Sequence, residues 1–270
     1  NPSANLAGLE RGGKKVSKIR VGIFGFGKTG KLVANEFLND DLFELSWVMR
    51  KSDLDRHKYA SRLLGHEFDA GKIVSEEDLD ENFASENPVD VLIDFSTSSS
   101  VNLYTRAVAI GTPVVTAISN YEPDDMRVLE SFMKTAPVIY SPNITLGINV
   151  LMVAAQIMQK ITPHADIEIV EEHFKAKSEV SGTAKKIAGV LDLNPETHIN
   201  SIRVGGIVGR HEIIFGLPNQ TIRLSHESIS RAAFGQGAIF ATKALIGQPP
   251  GMYTMETIIA EMFRQNIPVY

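Results

Sequence analysis

The stretch that most restricts the fold lies near the start of the chain: "IRVGIFGFGKTGKLVANEFL", residues 19–38. Ile19 to Phe24 is a short apolar run and reads as a buried strand. Gly25-Phe26-Gly27-Lys28-Thr29-Gly30 follows, and then Leu32, Val33, Phe37 and Leu38 recur at helical spacing. A strand that passes into a helix through G-x-G-x-x-G is the opening of a βαβ unit in a parallel sheet, and here the motif has both its strand and its helix. Gly25 permits the tight turn, Gly27 lets backbone approach a pyrophosphate, and Gly30 lets helix and strand pack closely. Lys28 and Thr29 open the helix, whose N-terminal N–H groups would receive the phosphates.

The next strand, "FELSWVMR", runs out at Arg50 and Lys51. NAD-selective sites place an acid at this tip for the ribose hydroxyls, whereas a basic residue accommodates a 2′-phosphate. NADPH is therefore the expected cofactor, with NADH as the alternative; the same cations could equally be a solvated loop. "VDVLIDFS", "SSSVNLYTRAVAIG", "TPVVTAIS" and "APVIYSPNITLGINVLMVAAQIM" continue the strand and helix alternation to about residue 160. This predicts an α/β fold with a Rossmann-type, doubly wound parallel sheet. Ligands bind at the carboxyl ends of such strands, which here carry Phe95-Ser96-Thr97, Thr116-Ala117-Ile118 and Ser141-Pro142-Asn143.

From Asp166 the pattern changes. "DIEIVEEHF", "HINSIRVGGIVGRHEIIFGLP" and "QTIRLSHESIS" alternate as a mixed or antiparallel sheet would, with "GLPNQ" as a hairpin turn. Helices return at "GTAKKIAGVLDL" and "AAFGQGAIFATKALIG". This predicts an α+β domain whose sheet is covered on one face, with a partner subunit as the simplest cover for the other. The expected division is residues 18–146 with 241–270 as a dinucleotide-binding domain, and 147–240 as a substrate-binding and oligomerisation domain. Residues 1–17 are read as a flexible or appended tail outside the fold.

The 270 residues are 43% hydrophobic and 22% charged, with a net charge of -5, so no basic excess points to nucleic acid. The absence of cysteine excludes disulfides, thiolate nucleophiles and Cys-ligated zinc. The seven histidines show neither HxxxH nor HExxH spacing, so no dedicated metal site is expected. No apolar run approaches the roughly 20 residues of a membrane span, and the first residues lack the apolar core of a signal peptide. A cytoplasmic protein is expected.

"EEHFKAKSEVSGTA", Glu171 to Ala184, concentrates polar groups between a strand and a helix. Histidine is the natural proton donor near neutral pH. Lysine stays cationic and pairs with a carboxylate as a point charge. The N–H groups of Gly182 and Thr183 at a helix start add an anion seat. Equally, Ser181-Gly182-Thr183 is a helix cap.

With "IDFS", "SPNITLGINVL", "EIVEEHFKAKSEVSGTAKKIA", "SIRVGGIVGRHEIIF" and "SHESISRAAFGQGA", the chain resembles the 4-hydroxy-tetrahydrodipicolinate reductase (dihydrodipicolinate reductase) family from about Ile19 onward. The family signature is E-x-H-H-R-H-K-x-D-x-P-S-G-T-A. Glu171, His173, Lys177 and Ser181-Gly182-Thr183-Ala184 match it. The resemblance implies an NAD(P)H-dependent reductase of lysine and diaminopimelate biosynthesis, acting on a small dicarboxylate and assembled as a homotetramer. It implies His173 as the catalytic acid or polariser near an imine, and Lys177 as an aid to protonation that also holds a carboxylate. Ser181, Gly182, Thr183, Asn143 and Phe174 would contact substrate. Gly25, Gly27, Lys28, Thr29, Gly30, Arg50, Phe95, Ser96, Thr97, Thr116 and Ile118 would contact cofactor.

The chain also departs from the pattern. The family's second and third histidines are Phe174 and Ala176, its Arg is Lys175, its Asp is Glu179, its Pro is missing, and the loop is one residue shorter. Thr116-Ala117-Ile118-Ser119 replaces a Gly-Thr-Thr-Gly strand end, and Ile144 stands where the family has Phe. These changes keep open a reductase of another cyclic imine, and a non-catalytic NADPH sensor is the third reading. His211 and His226 are read as structural or interfacial, and Arg203 and Arg231 as sheet or interface cations.

Overall fold

β1 (Ile19–Phe24) sits in the middle of a seven-stranded sheet because its apolar run is buried on both faces, as the burial of Val21, Ile23 and Phe24 shows. The computed structural model describes residues 17–268, so the tail read at residues 1–17 lies outside them except for Ser17. The other strands of this sheet are β2 (Phe43–Met49), β3 (Lys72–Val74), β4 (Val91–Asp94), β5 (Val114–Thr116), β6 (Pro137–Tyr140) and β11 (Gly251–Tyr253). All pairings are parallel, in the order β11-β6-β5-β4-β1-β2-β3. The direction of winding reverses between β1 and β4. That is the switch point at which doubly wound sheets hold ligands.

Helix α1 (Lys28–Leu38) leaves β1 through the glycine turn and buries Val33, Ala34 and Phe37. Gly25 has φ +101. A Cβ on Gly30 would lie 1.9 Å from the Gly25 carbonyl oxygen, so only hydrogen fits there. A Cβ on Gly27 would meet nothing within 4 Å. α2 (Pro123–Phe132) follows β5.

The second unit contains β7 (Asp166–His173), β8 (Ile199–Arg203), β9 (Arg210–Leu217) and β10 (Gln220–Glu227) in the order β10-β9-β7-β8. β10–β9 and β9–β7 are antiparallel and β7–β8 is parallel, which makes the expected mixed sheet. Period-2 alternation puts Ile167, Ile169, Ile213 and Phe215 on one face. There they pack with Ile148, Leu151, Met152 and Ala155 of α3 (Leu146–Ile161) and Ala184, Ile187 and Ala188 of α4 (Gly182–Val190). The opposite face carries the ion pairs of Arg210 with Glu172 and Glu212, and of Arg223 with Glu212.

The chain divides at Ile144/Thr145 and again at Ala233/Phe234 and Met255/Glu256, with 234–255 returning to the first unit. The return therefore starts before residue 241, and the final segment does not follow it. α5 (Ala233–Leu245) returns because it docks on α1: a Cβ on Gly235 would lie 2.5 Å from the Glu36 side chain, and Lys243 pairs with Asp40 at 3.0 Å. From Glu256, α6 (Met255–Asn266) belongs to the second unit, where Glu256 pairs with Lys186 of α4. No helix among the described residues is long and apolar enough to cross a membrane.

Candidate active site

In the first unit the crevice opens at the carboxyl ends of β1, β2 and β4. It measures about 830 Å³, and Gly25, Gly27, Arg50, Lys51, Phe95, Ser96 and Thr97 are among its walls. α1 starts here with no side-chain cap and no acidic residue in its first turn. Its N–H groups and the open space over Gly27 suit a diphosphate. Lys28 and Thr29 form that first turn.

The β4 end is set by Asp94, the acid within "IDFS". It is fully buried and accepts hydrogen bonds from the Ser96 N–H (2.9 Å), the Ser96 hydroxyl and the Tyr104 phenol (2.8 Å). Burial outweighs these bonds and pushes its carboxyl up to about 6. The signal in the sequence was a lone acid ending an apolar strand. Thr116 and Ile118, expected at the cofactor, do not line the crevice. Thr116 is fully buried with its hydroxyl 2.7 Å from the Tyr121 phenol, and Ile118 is buried with its N–H 3.5 Å from that hydroxyl. Asn143 lies past the end of β6, its carbonyl accepting from the Ser141 hydroxyl at 3.0 Å.

The second unit holds a different cluster. Glu171 on β7 is completely buried and anionic because it is saturated with donors. Arg203 grips both oxygens (2.9 and 2.6 Å), the Ser201 hydroxyl donates at 2.6 Å and the Ser181 N–H at 3.2 Å. Burial alone would raise its carboxyl; these bonds and that of His173 hold it at about 2. His173 Nδ1 lies 2.5 Å from Glu171 Oε2. A carboxylate only accepts, so Nδ1 carries the proton and Nε2 is the atom left for exchange. That Nε2 faces Gly209, where a Cβ would come within 3.0 Å.

His211, read from the sequence as structural or interfacial, packs into this cluster. Its Nε2 is 2.9 Å from the Ser181 hydroxyl, and its ring is 5.3 Å from that of His173. Burial first, then the charge of His173, lowers it to about 4. Arg203 is likewise a site residue, since it also ties the loop by donating to the carbonyls of Lys177 (2.9 Å) and Glu179 (2.8 Å). Ser181 spends its polar atoms on Glu171, His211 and the α4 cap, so it holds the turn in place and does not face outward. Gly182 starts α4 in open space, and Thr183 follows it. Phe174 is 37% exposed at the edge of the loop. No hydrogen bond or ion pair to the Lys177 ammonium occurs among the described residues.

The depressed His211 has a pH consequence. Its folded value lies below its unfolded value near 6.5, so its contribution is present above pH 6.5 and is lost as pH falls toward 4. The loss is at most about 3 kcal/mol. Glu171 adds a further loss below pH 4.5, whereas Asp94, raised by burial, contributes with the opposite sign between about pH 4 and 6. Urea midpoints of the wild type and of His211→Gln, measured from pH 7 to 4, isolate the His211 part. Their difference should shrink as pH falls, and a constant difference would show that His211 is not held neutral.

Comparison with known proteins gives the family. The family model for the dihydrodipicolinate reductase N-terminus matches residues 19–144, and that for the C-terminus matches 147–259. A 4-hydroxy-tetrahydrodipicolinate reductase of Thermosipho africanus is 32% identical over 254 residues, 91% of this chain and 100% of that protein. One from Caldanaerobacter subterraneus is 38% identical over 192 residues, 63% of this chain and 76% of that protein. The fold matches that of dipicolinate-bound dihydrodipicolinate reductase from Paenisporosarcina sp. TG-14 with TM-score 0.72 at 21% identity, over 90% of this chain and 100% of that one. With both family models matched in order across nearly all of the described residues, this chain belongs to the dihydrodipicolinate reductase family.

Proposed function

We propose that this chain reduces 4-hydroxy-tetrahydrodipicolinate to tetrahydrodipicolinate with NADPH, a step in lysine and diaminopimelate biosynthesis. The observation that carries the reading is the buried Arg203–Glu171–His173 relay beside Lys177 and the α4 N-terminus, in a chain of this family. The cofactor, when bound, supplies the hydride. The 4-hydroxyl leaves as water, and His173, fixed through Nδ1, holds at Nε2 the proton that balances the hydride added to the conjugated imine that remains. Lys177 offers a cation to a substrate carboxylate, and the N–H groups of Gly182 and Thr183 receive a second one. Arg50 and Lys51 at the crevice favour the 2′-phosphate of NADPH over NADH. A homotetramer built through the open face of the four-stranded sheet, in the cytoplasm, fits the family reading.

The test supplies pyruvate and aspartate semialdehyde to the preceding synthase, adds this protein, and follows NADPH oxidation. His173→Gln and Lys177→Ala should each lower kcat by about 10²–10⁴-fold, with NADPH binding intact. Exposed Phe174, where the family has histidine, favours a second reading: a different cyclic imine as substrate. Tight NADPH binding without turnover of the synthase product, but with turnover of another cyclic imine, would select that reading.

A further inference from the structure

The loop after β2 brings an acid onto the basic tip that the 2′-phosphate reading depends on. Asp55 Oδ2 lies 3.1 Å from Arg50 Nη1, and its other oxygen lies 2.9 Å from Lys58 Nζ. The side chains of Arg50 and Asp55 are only 22% and 18% exposed. The loop that carries Asp55 is built and held. Arg56 grips both oxygens of Asp78 (3.0 and 2.7 Å) and reaches Glu77 at 2.9 Å. The His57 N–H donates to Ile73, and Lys58 accepts from the Ile73 N–H, each at 2.8 Å, which pins the loop to β3. Asp55 and His57 both take left-handed backbone, φ 63 and 65, an arrangement that persists only where the surroundings enforce it.

Arg50 lines the crevice, yet one edge of its guanidinium is already taken by a carboxylate. A phosphate on the remaining edge would have to share that cation and would lie a few ångströms from the Asp55 charge. Lys58, then Arg50 and Lys31, hold the Asp55 carboxyl below its usual range, so it is ionised at any working pH. A ribose that carries only hydroxyls meets no such repulsion and can donate to a carboxylate.

We propose that Asp55 is a specificity-determining residue that restrains the preference for a 2′-phosphorylated cofactor, by competing for Arg50 and repelling the phosphate. The proposal rests on the reading of Arg50 as the phosphate-facing residue. Asp55→Asn is the informative change, because asparagine tolerates the left-handed conformation and keeps a hydrogen-bonding side chain while losing the charge. Calorimetric binding of 2′,5′-ADP and of 5′-AMP isolates the adenosine half of the cofactor from turnover.

The variant should bind 2′,5′-ADP about five- to tenfold more tightly than the wild type, with 5′-AMP changed less than twofold. The gain should shrink at high salt. Unchanged or weaker 2′,5′-ADP binding in Asp55→Asn would overturn the proposal, since Asp55 would then be inert or would orient Arg50 productively. Wild type that binds 2′,5′-ADP no better than 5′-AMP would overturn the NADPH reading instead. In that case a preference that appears only in Asp55→Asn would still support the restraint.

Discussion

Arg203→Met should destabilise the second unit by about 3–5 kcal/mol and abolish most of the activity. Removing one partner of a buried pair leaves the other charge stranded. Glu171 would remain with no exposure, and Ser201, Ser181 and His173 would be its only donors. The pH dependence should invert as well. In the wild type the Glu171 carboxyl sits at about 2, so its contribution is present above pH 4.5 and is lost as pH falls. Without Arg203, burial dominates and the carboxyl rises above its unfolded value. Relative to the wild type, the variant should then lose stability as pH rises from 5 to 7. A double change, Arg203→Met with Glu171→Gln, removes both charges and should recover at least half of the lost stability. It should not recover activity, because Arg203 also anchors the Lys177 and Glu179 carbonyls and the ring of His173 loses its anionic partner. Urea midpoints and kcat of the three proteins decide it. A single variant within about 1 kcal/mol of the wild type would mean the pair is not the support of the site.

What could be read from the sequence follows the range of each interaction. The glycine turn is local: its three glycines act within six residues, so spacing alone predicts the strand, the helix and the phosphate seat. Glu171, His173, Lys177 and Ser181 are also close along the chain, and one quoted segment contains them. Arg203, Ser201 and His211 reach the same cluster from other strands. Register decides that, with Glu171 opposite Ser201 on β8 and opposite His211 on β9. Alternation tells which residues share a face but not which strands lie side by side. The same limit applies to the last helix, whose apolar stripe marks it as packed without naming the unit it packs on. Thr116 ends a parallel strand, the position from which such sheets hold ligands; that position does not reveal the pairing of its hydroxyl with Tyr121, five residues on. Asp55 was invisible for another reason. A tip without an acid at Arg50 and Lys51 reads as basic, and only the fold of the loop brings the acid back.

The glycine turn also yields a prediction in which stability and binding separate. Gly30→Ala puts a Cβ 1.9 Å from the Gly25 carbonyl oxygen and 2.7 Å from its carbon, and both are backbone. Neither can rotate away. Gly25 cannot yield either, since it is itself in left-handed backbone with Phe95 backbone 2.8 Å from where its own Cβ would stand. α1 must therefore lift off β1, and Val33, Ala34 and Phe37 lose their packing against the sheet. The expected cost is about 3 kcal/mol or more, read as a fall in Tm, with cofactor binding lost alongside. Gly27→Ala is the counterpart. Gly27 has φ -82, which alanine adopts freely, and its Cβ would meet nothing in the protein within 4 Å. The fold should hardly notice, with stability within about 0.5 kcal/mol of the wild type. The new methyl would instead occupy the space where a diphosphate approaches backbone, and NADPH binding should weaken at least tenfold, about 1.4 kcal/mol. Thermal melts and fluorescence titration with NADPH on the two variants separate the roles. Equal losses of affinity at equal stability would mean that Gly30 guards ligand space as Gly27 does. A stable Gly27→Ala that binds NADPH normally would place the diphosphate elsewhere than over this turn.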